Sequence, residues 1–153
     1  MSPLVALATL IGILLVACST TASYPEGIFG KGTSDGEFDS PGSVAVAHDG
    51  RVYVVDSGNH RIQELTADGE FVAKWGTEGA GDGQLWYPRG VAVASDGSVY
   101  VTDFSNHRVQ KFTSEGVFVA KWGTEGAGDG QFNRPSDVAV ALDGSVYVAD
   151  SYN

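Results

Sequence analysis

Phe71–Gln84 reads FVAKWGTEGAGDGQ, and the identical fourteen residues return as Phe118–Gln131. The interval is 47 residues, and it governs the chain on either side. Asp49-Gly50 recurs as Asp96-Gly97 and Asp143-Gly144, Asn59 as Asn106 and Asn153, and Trp75 as Trp122. Asp49–Ser95 aligns on Asp96–Leu142 without a gap, with 31 of 47 positions identical. Upstream, Phe29–Asp49 fits the second half of the unit with one residue deleted in its glycine loop. A fixed period of this length marks a repeat architecture, in which one supersecondary unit is copied and each copy covers its neighbour.

Each unit holds four short strand-like runs separated by turn signals. In the best-defined copy they are Val91–Ala94 (strand a), Ser98–Thr102 (b), Arg108–Phe112 (c) and Phe118–Trp122 (d). Asp96-Gly97 and Ser114-Glu115-Gly116 supply the a–b and c–d hairpin turns, glycine taking the positive φ. Strand a is Val-Ala-Val-Ala in every copy, at 44–47, 91–94 and 138–141. Having no polar face, it must be covered on both sides, and its alanines suit crowding near a common axis. The expected fold class is all-β: a β-propeller of four-stranded antiparallel blades, about two and a half of them. Direction reverses at every strand, so the a–b and c–d turns share one rim, and the b–c loops and long d–a loops share the other.

Val52–Asp56 with Asn59-His60-Arg61, and Val99–Asp103 with Asn106-His107-Arg108, resemble the signature of the NHL repeats. So do the Gly-x-Phe-Val-x-Lys-Trp-Gly run and the Gly-Gln-Phe-x-x-Pro approach to the next strand. The resemblance spans roughly residues 27–153 and implies a six-bladed ring as the usual closed form. Six units of 47 residues need far more chain than this sequence holds. Units 49–95, 96–142 and the partial 143–153 are therefore expected to belong to a longer propeller, the remaining blades lying in the same chain. Self-association of partial rings is the alternative.

Composition narrows the function. Nineteen acids face nine Lys and Arg, a formal net charge of −10. That balance argues against nucleic acid, whose phosphates are held by clustered cations. A single cysteine builds neither a disulfide framework nor a Cys-rich zinc site. Leu4–Ala17, LVALATLIGILLVA, is apolar and uncharged, too short for a span of ~20 residues and suited to a signal-peptide core. Leu15-Val16-Ala17-Cys18 resembles the lipobox of bacterial lipoproteins, although Met1-Ser2-Pro3 lacks the usual basic residue. The expected domains are a signal peptide at 1–17, a polar tether at 18–26 and the partial propeller at 27–153. Cys18 would carry the lipid, holding the domain to a membrane that faces the periplasm or exterior. An ordinary secretory signal cleaved near Ala22-Ser23 is the alternative.

The repeated polar residues read as structural motif: Asp56, Asn59, His60 and Arg61, then Asp103, Asn106, His107 and Arg108, then Asp150 and Asn153. The aspartates are expected to accept backbone N–H groups of the b–c loop. His60 and His107 are expected to pack at the strand c entrance, with metal contact as the lesser reading; His48 lies on the opposite rim and cannot complete a three-His zinc set with them. Trp75 and Trp122 read as inter-blade packing. Gly79–Gly83, GAGDG, lacks the helix and the Lys of a phosphate loop and reads as a flexible connector. No cofactor is evident, although a metal in the full-length protein stays open.

Positions that differ between copies are the better functional clues, since the fold does not dictate them. Trp86, Tyr87, Arg89, Arg134 and Asp137 are the candidate ligand surface, expected at the channel mouth on the long-loop rim. The first expectation is a non-catalytic, exported module that binds a protein, peptide or envelope ligand. The alternative is the N-terminal part of a six-bladed enzyme like the amidating lyases, streptogramin lyases or lactonases, with a metal on the axis.

Overall fold

The computed structural model describes residues 31–153. The proposed signal, tether and Cys18 lie outside the described residues, as does Phe29, where the upstream partial unit begins. Among the described residues ten strands form two complete antiparallel meanders and half of a third. Blade 1 contains β1 (Pro41–Val46), β2 (Val52–Asp56), β3 (Arg61–Leu65) and β4 (Phe71–Trp75). Blade 2 contains β5 (Pro88–Val93), β6 (Val99–Asp103), β7 (Arg108–Phe112) and β8 (Phe118–Trp122). β9 (Pro135–Val140) and β10 (Val146–Asp150) pair as the start of blade 3. No helix among the described residues is long and apolar enough to cross a membrane.

Strands c and d of the second copy fall at the expected residues. Strand b runs one residue later. Strand a starts three residues early, because Pro88 already pairs with Asp103 before the register shifts to Val91 opposite Val101. That bulge breaks the alternation a sequence reading depends on. The hairpins have one design: Ala94 N–H donates to Ser98 O and Gly97 N–H to Ala94 O, with Gly97 at φ +83°. Thr113, Gly116 and Val117 repeat it between β7 and β8.

The a strands β1, β5 and β9 lie side by side at the centre of the fan. Their upper ends nearly touch. A Cβ on Gly90 would stand 2.7 Å from Asp137 Cα, and one on Gly42 would stand 2.8 Å from Arg89 O. At the a–b rim they diverge around an open, largely apolar hollow of about 460 Å³, lined by Val46–His48, Val93–Ser95 and Val140–Leu142.

The main core lies between blades. Tyr53, Val55 and Ile62 of blade 1 meet Leu85, Val91, Val99, Val101 and Phe112. Trp75 reaches across as expected, 5.9 Å from Tyr53 and 6.1 Å from Phe112 between ring centroids. A second cluster, Val52, Val54 and Leu65, is covered by Phe38 from the loop before blade 1. The expectation that strand a is covered on both faces is corrected for β1. Ala45 and Ala47 pack on the core, while Val44 and Val46 are 42% and 66% exposed, because no neighbouring sheet lies on that side among the described residues.

Candidate functional site

The repeated signature builds a clamp. Asp56 and Asp103 are fully buried at the ends of β2 and β6. Asp103 accepts Arg108 Nε at 2.7 Å, Asn106 Nδ2 at 2.9–3.0 Å, Gln110 Nε2 at 3.1 Å and the Trp86 N–H at 2.8 Å. Asp56 takes the same four kinds of donor from Arg61, Asn59, Gln63 and Asp39. The expected donors were backbone groups of the b–c loop. The actual ones are three side chains and one N–H from the d–a loop, because the b–c N–H groups go elsewhere: Gly58 and Ser105 donate to Asp39 O and Trp86 O, and His60 and His107 to Ser57 O and Phe104 O. A buried carboxylate needs this many partners to remain charged without water.

The guanidinium then turns outward. Arg108 Nη1 and Nη2 donate to Ala80 O, Gly81 O and Gln84 O at 2.8–2.9 Å, while Asn106 and Gln110 take Gly79 O and Gln84 O. The GAGDG segment is thus no flexible connector. Its carbonyl oxygens point at an arginine, the opposite polarity from a phosphate cradle. Asp82 pairs with Lys121, and Asp35 likewise with Lys74, so part of the rim's negative charge is locally offset.

His60 and His107 end the 3-10 turns in the left-handed region, at φ +56° and +53°. His60 Nδ1 accepts the Tyr87 N–H at 3.1 Å, and His107 Nδ1 accepts the Arg134 N–H at 3.3 Å. Each histidine thereby ties its blade to the next one's a-strand entrance. Tyr87 and Arg134 are themselves left-handed, at φ +48° and +56°. Strain of this kind in bulky residues persists where the surroundings over-determine it, and it gathers at functional sites.

Of the five candidate surface residues, the structure brings two arginines together. Arg89 Cζ lies 4.5 Å from the Phe104 ring centroid, and Arg134 Cζ lies 5.9 Å from that ring and 5.3 Å from Tyr152. Phe104 and Tyr152 meet edge to face at 6.3 Å. Tyr87 packs on His60 at 4.5 Å, and Trp86 is 44% exposed beside the cluster's loop. Asp137 is not part of it: its Oδ1 accepts the N–H of Val138, and its backbone lies against Gly90. Phe104 and Tyr152 were missed by the sequence reading. The comparison of copies would have found Phe104, since Ser57 and Ser151 occupy its position in the other units.

The resolved titration shifts sit at the hairpin turns and in the core. Hydrogen bonds from Ser98 and Ser145, the backbone N–H foremost, hold the Asp96 and Asp143 carboxyls below their usual range. Burial pushes the Tyr53 phenol up. For a metal, the donor chemistry is poor: among the described residues no three His, Cys, Asp or Glu side chains lie together. At the upper ends of the a strands stand Gly42, Arg89 and Ser136, then Ser43, Gly90 and Asp137, a set with a single carboxylate. These blades do not by themselves fit the axial metal that the enzyme alternative calls for.

Four-stranded meanders fanned about an axis, with their a strands innermost, define a β-propeller. The NHL repeat family profile matches residues 38–65, 85–112 and 132–153, half of the chain, and the chain belongs to that family. No curated protein matches it. By fold it is similar to a hydrazine synthase of Kuenenia stuttgartiensis, at TM-score 0.61 and 16% identity over 84% of this chain and 33% of that one. It is similar to virginiamycin B lyase of Staphylococcus aureus, at 0.56 and 16% over 72% and 34%. A gluconolactonase of Xanthomonas campestris matches at 0.55 and 17% over 74% and 36%. The chain spans about a third of the length of these structures.

Proposed function

We propose that this chain supplies blades to a propeller enzyme of the lyase or lactonase kind. Its substrate would be held at the axial end of the b–c/d–a rim. The observation that carries the reading is the Arg89–Phe104–Arg134–Tyr152 cluster, which is specific to these copies, exposed, and built on a clamped frame. The propellers it is similar to include a lyase and a lactonase, which moves the reading from the passive module toward the enzyme. At 16–17% identity that likeness is one of fold, so catalysis is our inference. In this reading the present blades bind and orient substrate and hold no cofactor; the remaining blades of the ring bring the reacting groups. The protein works outside the cytoplasm, exported by 1–17 and held at the membrane through Cys18.

The second reading is a non-catalytic propeller whose rim grips a protein, peptide or envelope component. It is favoured by the near-identity of the two blades, since converging catalytic groups need unlike ones. One experiment separates the two. Full-length protein is assayed against a panel of lactones and cyclic depsipeptides, with and without added divalent cations. Turnover with KM raised in Arg89→Ser and Arg134→Ser supports the enzyme. A protein that turns over neither class under either condition is the binding module.

A further inference from the structure

We propose that the cluster around Phe104 is a binding site for a carboxylate on an apolar body; this rests on the rim's being the ligand site, as above. The chain has five arginines. Arg61 and Arg108 are sealed against Asp56 and Asp103, and Arg51 lies against Glu64 and Asp49. Arg89 and Arg134 differ. Neither guanidinium has an ion pair or a hydrogen-bond acceptor among the described residues, and both converge on one ring. Gathering two unpaired like charges is unfavourable in itself, and in a chain of net charge −10 carboxylates are abundant elsewhere. Held over aromatic rings, the guanidiniums keep N–H groups free to grip a planar carboxylate. Asp103 and Asp150 accept the N–H groups of Trp86 and Asn133, Asp137 accepts that of Val138, and none of the three forms an ion pair with Arg89 or Arg134. Phe104 and Tyr152, edge to face at 6.3 Å, supply the apolar wall that selects an organic acid over a bare oxyanion.

The test uses full-length protein and four probes: benzoate, benzyl alcohol, benzylammonium and inorganic phosphate. Binding is followed by amide shifts of Phe104 and Arg134 in nitrogen–proton spectra. Benzoate should saturate, with the other three weaker by about tenfold or more, the order expected for losing one charge-assisted pair or the apolar contact. Arg89→Ser, Arg134→Ser and Phe104→Ser should each weaken benzoate about tenfold. Serine stands at the matching positions Ser136, Ser40 and Ser57 of sister copies, so these variants keep the blade, and unchanged thermal midpoints verify it. Absent saturation by benzoate, equal binding of benzyl alcohol or phosphate, or indifference to the arginine substitutions each overturns the proposal. Benzoate binding lost in Arg89→Ser without any turnover of lactone or depsipeptide keeps this site and removes the enzyme. Turnover with no benzoate site does the reverse.

Discussion

Blades 1 and 2 share one skeleton and differ at their rims. Asp56, Asn59, Arg61 and Gln63 reproduce Asp103, Asn106, Arg108 and Gln110 bond for bond. Yet where blade 1 has Ser40, Gly42 and Ser57, blade 2 has Tyr87, Arg89 and Phe104. What the copies keep is what carries the load of folding; what they vary is free to meet a ligand. The small serine of blade 1 is itself committed: Ser57 Oγ donates to Pro88 O at 2.6 Å inside the contact between blades. Its counterpart Phe104 stands at the next junction and instead collects two arginines.

The sharpest way to break the comparison is through the shared part. Arg61→Ala and Arg108→Ala should each lose about 3–5 kcal/mol, because each leaves a buried carboxylate unpaired. Urea denaturation of the two should agree within experimental scatter, and a large gap would mean that the blades are not equivalent. Next come the steric differences. Ser57→Phe should cost about 1–3 kcal/mol by overpacking a buried site. Gly90→Ala should cost a similar amount, its methyl meeting Asp137 Cα. The reverse exchange is mild: Phe104→Ser should change stability by less than about 1 kcal/mol, the scale of an exposed cation–π contact, while loosening Arg89. The smallest effect is one of pH. Asp96 titrates below its ordinary range when folded, so its contribution is present above that range and fades as acid passes through the folded value. Asp96→Asn should flatten the acid limb of a stability–pH curve slightly, and Asp143→Asn likewise in the next hairpin.

Much of this frame was legible in the 47-residue period. Strands β7 and β8 fall at the expected residues, since the His107 turn and the Ser114–Gly116 hairpin bound them, even though their register shifts between Lys111 and Phe112. β5 was shortened because Pro88 and Arg89 lie across a bulge that pattern reading cannot see. Asp56 and Asp103 were recognised as structural, but beside the nearby Asn59 and Asn106 their donors come from a loop 17 residues away and from strand c, a closure that only the folded sheet reveals. The candidate rim was half legible. Arg89 and Arg134 were picked out as copy-specific, while their meeting at Phe104 depends on which flank one blade shows the next. Phe104 sits inside the signature itself, and attention to the invariant residues hid the one that varies.

The clamp has a consequence for the making of the protein. Both clamp arginines, Arg61 and Arg108, close on carbonyl groups that precede them by 24–28 residues. As the chain emerges N-terminus first, each glycine loop therefore appears before the side chain that fastens it, and is secured once 24–28 more residues have followed. Fastening proceeds in order, loop by loop, and does not wait for the chain's two ends to meet. Contacts this short in sequence favour rapid assembly over long searching. A ring built in this way would be ratcheted together from its first blade onward.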